Sequence, residues 1–260
     1  MGILNDRVAV VTGASKGIGR VISQVFAGEG ARVICAARSR DLVEETVASI
    51  RKAGGDATAM TADVSREDDV RQLMQRSVET YGRLDTLVNN AGDGGPTKPV
   101  EDYPTDDWFY TLNSCLTSSY LCVRFAVPFM IQAGRGAIVN ISSMAGRRGL
   151  AYRVGYCASK AGQVGMTYGL ALELGRHNIT VNAVLPGAVE GDRIDRVIAG
   201  QAEVRGISVE QQRKAFVDRA PLKRMVSAED IAQAAVFLCS DHARSISGQC
   251  LPVNAGEPAS

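Results

Sequence analysis

The segment Arg7-Val-Ala-Val-Val-Thr-Gly-Ala-Ser-Lys-Gly-Ile-Gly19 decides the fold that the sequence predicts. It opens with a short apolar run that contains β-branched residues, which is typical of a buried strand. A glycine-rich turn follows, and apolar residues then recur at helical spacing from Ile18 to Phe26. Strand, glycine turn and helix in this order begin a βαβ unit that binds a dinucleotide, because the turn lets backbone N–H groups approach a pyrophosphate.

The end of the second predicted strand indicates which dinucleotide fits. This strand, Ala31–Ala37, ends about twenty residues after the glycines, where an acidic residue would bind the ribose 2′-hydroxyl of NAD. Here Ala37 is followed by Arg38, and Lys16 lies within the glycine turn. Two cations without a carboxylate suit the 2′-phosphate of NADP, which an arginine can bind through two hydrogen bonds. We therefore expect NADP(H) to be preferred. NAD(H) is the alternative if Arg38 and Lys16 are ordinary solvated charges.

Strands and helices alternate along the rest of the chain. Further strands are predicted at 57–62, 84–88, 137–141, 179–185 and 249–253. Helices are predicted at about 40–53, 65–81, 106–132, 155–176 and 227–239. Two of them begin at apparent capping boxes, Ser65-Arg-Glu-Asp68 and Ser227-Ala-Glu-Asp230. The alternation predicts one α/β domain over residues 1–260, a doubly wound, mostly parallel sheet (Rossmann fold) of about seven strands with helices on both faces.

Four residues that follow predicted strands point to one edge of this sheet. They are Thr12, Asn90, Ser143 and Pro186. The carboxyl ends of parallel strands meet at one edge, and ligands bind there in open α/β sheets. The segment 188–220 is richly charged and contains no clear strand, so we expect it to form a lid over a substrate.

Composition argues against several kinds of partner. The 260-residue chain carries 29 Lys/Arg and 28 Asp/Glu, a net charge of +1, so we expect no nucleic-acid partner and no membrane partner. Its six cysteines contain no Cys-x-x-Cys pair and mostly lie in apolar runs, which is typical of core residues in a reducing compartment. With two histidines, a metal site is not expected. These features predict a cytoplasmic protein.

The segment Gly155-Tyr-Cys-Ala-Ser-Lys160 opens a predicted helix with chemistry of its own. Tyr156 and Lys160 are four residues apart and share one helix face. A tyrosine hydroxyl titrates near about 10 in isolation, and a fixed ammonium nearby favours the phenolate. The pair suits proton transfer at neutral pH, although the same spacing fits a surface Tyr/Lys pair.

Seven motifs along the chain carry a family resemblance. They are Thr12-Gly-Ala-Ser-Lys-Gly-Ile-Gly19, Asp63-Val64, Asn89-Asn-Ala-Gly92, Asn113, Ser142-Ser143, Tyr156-Cys-Ala-Ser-Lys160 and Pro186-Gly187. In order and spacing they resemble the short-chain dehydrogenase/reductase family of the single-domain type. The resemblance covers nearly the whole chain. It implies a hydride transfer between nicotinamide C4 and a carbonyl or alcohol carbon.

The resemblance also implies catalytic roles. Tyr156 would donate the proton in reduction and remove it in oxidation. Lys160 would stabilise the phenolate and hold the nicotinamide ribose. Ser143, rather than its neighbour Ser142, would hydrogen-bond the substrate oxygen. Asn113 would anchor a water that links Lys160 to solvent, unless it is only a solvent-facing helix residue.

The implied cofactor contacts include Tyr156 and Lys160. The others are Gly13, Ser15, Lys16, Gly17, Ile18, Gly19, Arg38, Asp63, Val64, Asn90, Ala91, Gly92, Pro186, Gly187 and Val189. Among them Asp63 and Val64 would contact adenine, and Asn90 the adenosine ribose region. The chain departs from the family at Gly191, where many members have a threonine that binds the nicotinamide carboxamide.

Arginines cluster in the stretches expected to wall the substrate, which are 93–98, 144–153 and the segment after Gly187. These arginines are Arg147, Arg148, Arg153, Arg193 and Arg196. We expect a polar small-molecule carbonyl or alcohol substrate, such as a sugar, polyol or hydroxy acid, with an arginine engaging its hydroxyls or carboxylate. The alternative is that these arginines face solvent or contact another subunit.

Three other functions stay open: a 3-oxoacyl thioester reductase, an NAD-dependent dehydrogenase and a non-catalytic cofactor-binding protein. The joint presence of Ser143, Tyr156 and Lys160 favours an enzyme. Members of the family commonly form tetramers through the Tyr156 helix and the long helix before it. The small residues of the Tyr156 helix permit such close packing. We therefore expect a homotetramer, with a dimer as the alternative.

Overall fold

Seven parallel strands form one sheet in the computed structural model, which describes residues 2–258. The strands are β1 Val8–Thr12, β2 Arg32–Ala37, β3 Asp56–Thr61, β4 Thr86–Asn89, β5 Gly136–Ile141, β6 Ile179–Pro186 and β7 Cys250–Val253. They are ordered β3-β2-β1-β4-β5-β6-β7, with every pairing parallel. The predicted fold class is confirmed. Three residues of the predicted domain range, Met1, Ala259 and Ser260, lie outside the described residues.

Ten α-helices connect these strands within residues 2–258. They are α1 Gly17–Gly28, α2 Arg40–Lys52, α3 Glu67–Tyr81, α4 Thr105–Leu112, α5 Ser118–Ala133, α6 Ala145–Arg148, α7 Val154–Leu174, α8 Asp192–Arg205, α9 Val209–Arg219 and α10 Ala228–Cys239. Helices α1, α2 and α10 cover one face of the sheet, and α3 and α5 cover the other.

The first strand shows why both faces are covered. Ala9 and Val11 join the core beneath α1 and α10, whereas Val10 joins the core beneath α3 and α5. Successive strand residues point to opposite faces, so a strand buried on both sides must be apolar throughout. The continuous apolar run in the sequence therefore predicts this central strand correctly. The chain builds the sheet outward in one direction from β1 to β3 and in the other direction from β4 to β7. This change of direction between β1 and β4 leaves a crevice at their carboxyl ends.

Two local predictions were wrong in detail. The long helix predicted at 106–132 contains a π-helical turn, Asn113–Thr117, between α4 and α5. Pro128 lies within α5 and does not end it. Ser65 does not cap α3, since its N–H and hydroxyl both bind Asp63 Oδ1, at 3.0 and 2.7 Å. The second capping box is confirmed, because Ser227 and Asp230 each bind the other's backbone N–H.

The run Thr105–Ala133 is long and apolar enough, by length and composition alone, to cross a membrane. A buried core helix of a water-soluble protein passes the same test. Here Leu121, Cys122 and Met130 pack into the core beneath the sheet. The apolar character of this run is therefore explained by its place in the fold.

Candidate active site

A cleft of about 630 Å³ lies at the carboxyl ends of the strands. It is lined by every residue that the sequence predicts for catalysis or cofactor binding. These are Gly13, Ser15, Lys16, Gly17, Ile18, Gly19, Arg38, Asp63, Val64, Asn90, Ala91, Gly92, Asn113, Ser143, Tyr156, Lys160, Pro186, Gly187 and Val189. The chain therefore brings the predicted set together at one edge of the sheet.

The glycine turn between β1 and α1 has a shape that side chains would prevent. Gly13 has φ +68°, a left-handed conformation that glycine adopts without strain. A Cβ on Gly19 would lie 2.3 Å from the carbonyl oxygen of Gly13. The side-chain amide of Asn90 braces the turn by donating to the Thr12 carbonyl at 2.9 Å. The turn therefore presents its backbone at the start of α1, where the helix dipole favours a phosphate.

Lys16 and Arg38 lie at the outer end of this cleft. Both are exposed, and neither side chain makes a hydrogen bond or ion pair with another described residue. Asp63 lines the same cleft, and the charge on Arg38 acts on its carboxylate. Burial acts to raise the pKa of Asp63, but hydrogen bonds from Ser65 and the charge on Arg38 bring it below its ordinary value. This end of the cleft is therefore cationic, with one ionised carboxylate.

Lys160 is buried at the other end of the cleft and is held by two neutral acceptors. Its Nζ donates to the Ile141 carbonyl at 2.8 Å and to Gln163 Oε1 at 2.9 Å. The same Nζ lies 5.7 Å from the centroid of the Tyr156 ring. An ammonium has three donors, so one N–H remains for the cleft. The structure thus excludes the surface Tyr/Lys pair, because Lys160 is only 4% exposed.

Gln163 is a member of the site that the sequence does not reveal directly. It is fully buried, and its Nε2 donates to the Cys115 carbonyl at 3.0 Å and to Ser119 Oγ at 2.7 Å. Cys115 belongs to the π-helical turn, a feature often found at functional sites. The available signal is spacing, since Gln163 lies three residues after Lys160 on the same helix face.

The two neighbouring serines differ in what their hydroxyls bind. Ser142 Oγ donates to the Lys160 carbonyl at 2.8 Å and is buried. Ser143 Oγ accepts the N–H of Ala145 at 3.1 Å and lines the cleft. An acceptor hydroxyl keeps its proton free to donate. Ser143 can therefore donate to a ligand, whereas the Ser142 proton is already used.

Asn113 begins the π-helical turn and is exposed at the cleft. Its carbonyl oxygen accepts the N–H of Ser118. No side-chain hydrogen bond joins Asn113 to another residue in the range 2–258. Its predicted role, a water link to Lys160, stays a prediction.

Two arginines lie against the Tyr156 ring. The Cζ atoms of Arg153 and Arg193 are 5.3 and 5.5 Å from the ring centroid. Arg153 Nη1 donates to the Gly95 carbonyl at 3.1 Å and to Thr97 Oγ1 at 3.0 Å. Burial lowers the pKa of the Arg153 guanidinium, and the charge on Arg193 acts in the same direction. Three cations, counting Lys160, thus surround one tyrosine.

The other arginines of the predicted substrate walls have different surroundings. Arg148 pairs with Glu257 at 2.7 Å. Arg147 is exposed and does not line the cleft, while Arg196 is exposed along it. Of the five arginines predicted for the substrate walls, Arg153 and Arg193 are therefore the two that lie against the Tyr156 ring.

The segment after Gly187 is tied down by a short bridge. Val189 pairs with Val226, and the Glu190 N–H donates to the Val226 carbonyl at 3.0 Å. Gly191 then turns the chain into α8 with φ +127°. Beyond it, α8 and α9 bury a small apolar cluster that includes Val197, Ile198 and Phe216. The segment has its own packing next to the cleft.

Comparisons with known proteins agree with this geometry. A family model described as enoyl-(acyl carrier protein) reductase matches residues 13–257. The uncharacterised oxidoreductase YxbG of Bacillus subtilis (strain 168) is 37% identical over 256 residues, which cover 98% of this chain and 92% of that protein. The 3-oxoacyl-[acyl-carrier-protein] reductase FabG of Thermotoga maritima is 34% identical, covering 97% and 98%. A crystal structure of NAD⁺-bound xylitol dehydrogenase superimposes with TM-score 0.95 at 31% identity, covering 97% and 99%.

Proposed function

Because the chain belongs to the short-chain dehydrogenase/reductase family, we propose that it is an NADP(H)-dependent oxidoreductase that interconverts a polar secondary alcohol and its ketone. The observation that carries the proposal is the single cleft that joins the glycine turn to Ser143, Tyr156 and Lys160. A protein that only bound the cofactor would have no need of these three side chains together.

A bound nicotinamide cofactor supplies a hydride in reduction and accepts one in oxidation. Tyr156 donates a proton to the substrate oxygen in reduction and takes it back in oxidation. Ser143 donates a hydrogen bond to the same oxygen, where negative charge develops. Lys160, gripped by Gln163 and the Ile141 carbonyl, keeps its positive charge near the ring and so stabilises the phenolate.

The preference for NADP rests on the outer end of the cleft. Lys16 and Arg38 are exposed, and Ala37 stands where an NAD-binding carboxylate would stand. The fit of a dinucleotide is supported by the glycine turn, where a side chain on Gly19 would clash with the Gly13 carbonyl and the backbone is left open at the start of α1. The NAD-dependent alternative has support from the NAD⁺-bound xylitol dehydrogenase, a protein of closely similar structure.

Fluorescence titration with NADPH and NADH, side by side, tests the cofactor assignment. We expect NADPH to bind about tenfold more tightly, and Arg38→Ala to remove that advantage without weakening NADH. Arg40→Ala is the matched control, because Arg40 is exposed, does not line the cleft and pairs with Glu44. Tighter binding of NADH would move the assignment to NAD.

The catalytic assignment is tested by Tyr156→Phe in a screen of carbonyl compounds with the preferred cofactor. Turnover should fall at least about a thousandfold while cofactor affinity stays within twofold. Residual turnover near the wild-type rate would mean that another group transfers the proton.

A 3-oxoacyl thioester reductase is the second candidate, favoured by the relative from Thermotoga maritima. The arginines against Tyr156 support the polar substrate instead, because a 3-oxoacyl thioester carries no negative charge beside its reacting carbonyl to pair with them. Comparing a sugar, a keto acid and a 3-oxoacyl thioester as substrates separates the two.

The segment 188–220 next to the cleft is proposed as the lid that covers the substrate.

A homotetramer is proposed on the exposed apolar side chains of two helices. Tyr120 lies on α5, and Tyr168 and Leu172 lie on α7, with Leu172 89% exposed. Light scattering checks the assembly, and a monomer mass would contradict it. A cytoplasmic location is proposed on the six cysteines, all of which are free thiols.

A further inference from the structure

Two guanidinium groups meet at the Tyr156 ring without an acidic partner. Within residues 2–258, neither Arg153 nor Arg193 forms an ion pair, although their Cζ atoms lie 5.3 and 5.5 Å from the same ring centroid. Asp93, on the adjoining loop, lines the same cleft and its charge acts on Arg153, but it is exposed and uses Oδ1 to accept the Gly95 N–H at 3.1 Å. Like charges repel, so a site that holds two of them together favours an anion between them.

Arg153 is both buried and under-used. It is 6% exposed, and its Nε makes no hydrogen bond to any described residue. Nη1 alone is satisfied, by the Gly95 carbonyl and Thr97. A buried charge without a counter-ion is costly, and a guanidinium makes strong, charge-assisted hydrogen bonds to carboxylate oxygens. Nη2 makes no hydrogen bond to a described residue, so Arg153 can donate from Nη2 to an anionic oxygen in the cleft.

The loop beside Arg153 makes room for it. A Cβ on Gly94 would lie 2.1 Å from Arg153 Nη2 and 3.3 Å from Arg193 Nη2. Both guanidinium groups therefore converge on one glycine, and any larger residue there would displace Arg153. Loop 93–98 is in turn bound to the start of α7, because the Lys98 N–H donates to the Tyr152 carbonyl at 3.0 Å.

The cofactor is not the expected anion at this place. Its phosphates belong at the glycine turn and its 2′-phosphate near Lys16 and Arg38, whereas Arg153 lies beside the group that protonates the substrate. An anion bound by Arg153 would therefore be carried by the substrate itself.

We propose that the substrate carries a carboxylate close to the reacting carbon, bound by Arg153 and Arg193, so that the protein interconverts a short hydroxy acid and the corresponding keto acid. This inference rests on the proposed oxidoreductase function. Arg153, held by Gly95 and Thr97, supplies donors at Nη2, and Arg193, at the first turn of α8, adds a second charge from the proposed lid. Binding the carboxylate also places the carbonyl oxygen beside Tyr156.

The test uses pairs of compounds that differ only in charge: acetoacetate and 2-oxobutanoate, each beside its methyl ester. Calorimetry on the protein saturated with oxidised cofactor measures affinity without turnover. We expect each acid to bind at least about 30-fold more tightly than its ester. Arg153→Met should remove this preference, and Arg193→Met should lower the affinity for the acid about tenfold, both leaving the esters within twofold. Arg147→Met, outside the cleft, is the control and should change nothing.

Because Arg153 is buried, the exposed Arg193 variant keeps the test decisive if Arg153→Met does not fold. Equal affinities for acid and ester, or an acid preference that survives both variants, overturn the inference. So does a loss of cofactor affinity in Arg193→Met with the acid preference unchanged. If the esters are reduced as efficiently as the acids, the inference fails while the oxidoreductase stands. If acids bind as expected but no carbonyl compound is reduced, the oxidoreductase function fails and the substrate assignment falls with it.

Discussion

Arginines cluster at both ends of the sheet, and the two clusters are built in opposite ways. At the amino ends of β4 and β5, Arg83 and Arg135 converge on Asp85, with N–O distances of 2.6 and 2.9 Å. Asp85 is fully buried and also accepts the N–H of Val8 at 3.0 Å. At the carboxyl ends, Arg153 is buried beside Tyr156 and forms no ion pair with any residue in the range 2–258.

The comparison distinguishes the Asp85 cluster, whose charges stabilise the fold, from Arg153, whose charge is available to bind a ligand. A buried ion pair is stable only when its partners satisfy each other, and Asp85 has such partners. Arg153 is held in place by neutral acceptors only, which orient the guanidinium without neutralising it. Lys160 is an intermediate case, because it is buried and bound by neutral groups but lies against the Tyr156 ring.

The largest effect on stability is expected from removing Asp85, which pairs with Arg83 and Arg135. Asp85→Ala leaves two arginines and the Val8 N–H without their acceptor, so the free energy of unfolding should fall by about 3 kcal/mol. Urea denaturation measures it. Asp68→Ala is the control, since Asp68 is exposed in its pair with Arg71, and it should cost less than about 0.5 kcal/mol. A loss for Asp85→Ala no larger than for the control would show that the cluster does not stabilise the fold.

An intermediate effect is expected at the acceptor that holds Lys160. Gln163→Leu removes one of its two acceptors, so kcat should fall about tenfold, or about 1.4 kcal/mol, while cofactor affinity changes less. Steady-state kinetics with cofactor titration measure both. Thr167→Val is the matched control, because Thr167 is buried one turn further along α7 and its hydroxyl binds Asn140 and the Gln163 backbone carbonyl, not Lys160. An unchanged kcat in Gln163→Leu would mean that the Ile141 carbonyl positions Lys160 alone.

The smallest effect on stability is expected at Arg153. Arg153→Met removes hydrogen bonds to Gly95 and Thr97 but also removes a buried, unpaired charge, so these terms oppose each other. The free energy of unfolding should change by less than about 1 kcal/mol in either direction, as measured by the same urea titration. A loss as large as that of Asp85→Ala would show that Arg153 is retained for folding and would remove the contrast between the two clusters.

The sequence predicts the parts of the site that depend on local patterns. The glycine turn after β1 and the Tyr156/Lys160 spacing on α7 are set by a few neighbouring residues, so their positions follow from periodicity and turn chemistry. Which arginine meets Tyr156 depends instead on how loop 93–98 folds back onto Tyr152, a non-glycine residue with φ +65°. Such long-range contacts leave no pattern along the chain.

Two further misses have the same origin. The π-helical turn at Asn113–Thr117 gains its support from Gln163, which lies about fifty residues further along the chain. Ser65 matches a capping box by spacing, yet α3 begins one residue later than the box requires, with Arg66 as its N-cap, and the Ser65 hydroxyl donates to the Asp63 carboxylate instead. A short motif predicts one hydrogen-bond partner for a side chain, but in the folded chain other acceptors can lie within reach.

Gly191 stands where many members of the family have a threonine, and its backbone conformation makes this difference hard to reverse. Its φ of +127° with ψ 176° lies in a region that is essentially reserved for glycine. A threonine could not be restored here by one substitution, since the backbone that leads into α8 would have to be rebuilt with it. Introducing the threonine hydroxyl therefore requires a redesign of the loop that leads into α8, and not a single substitution.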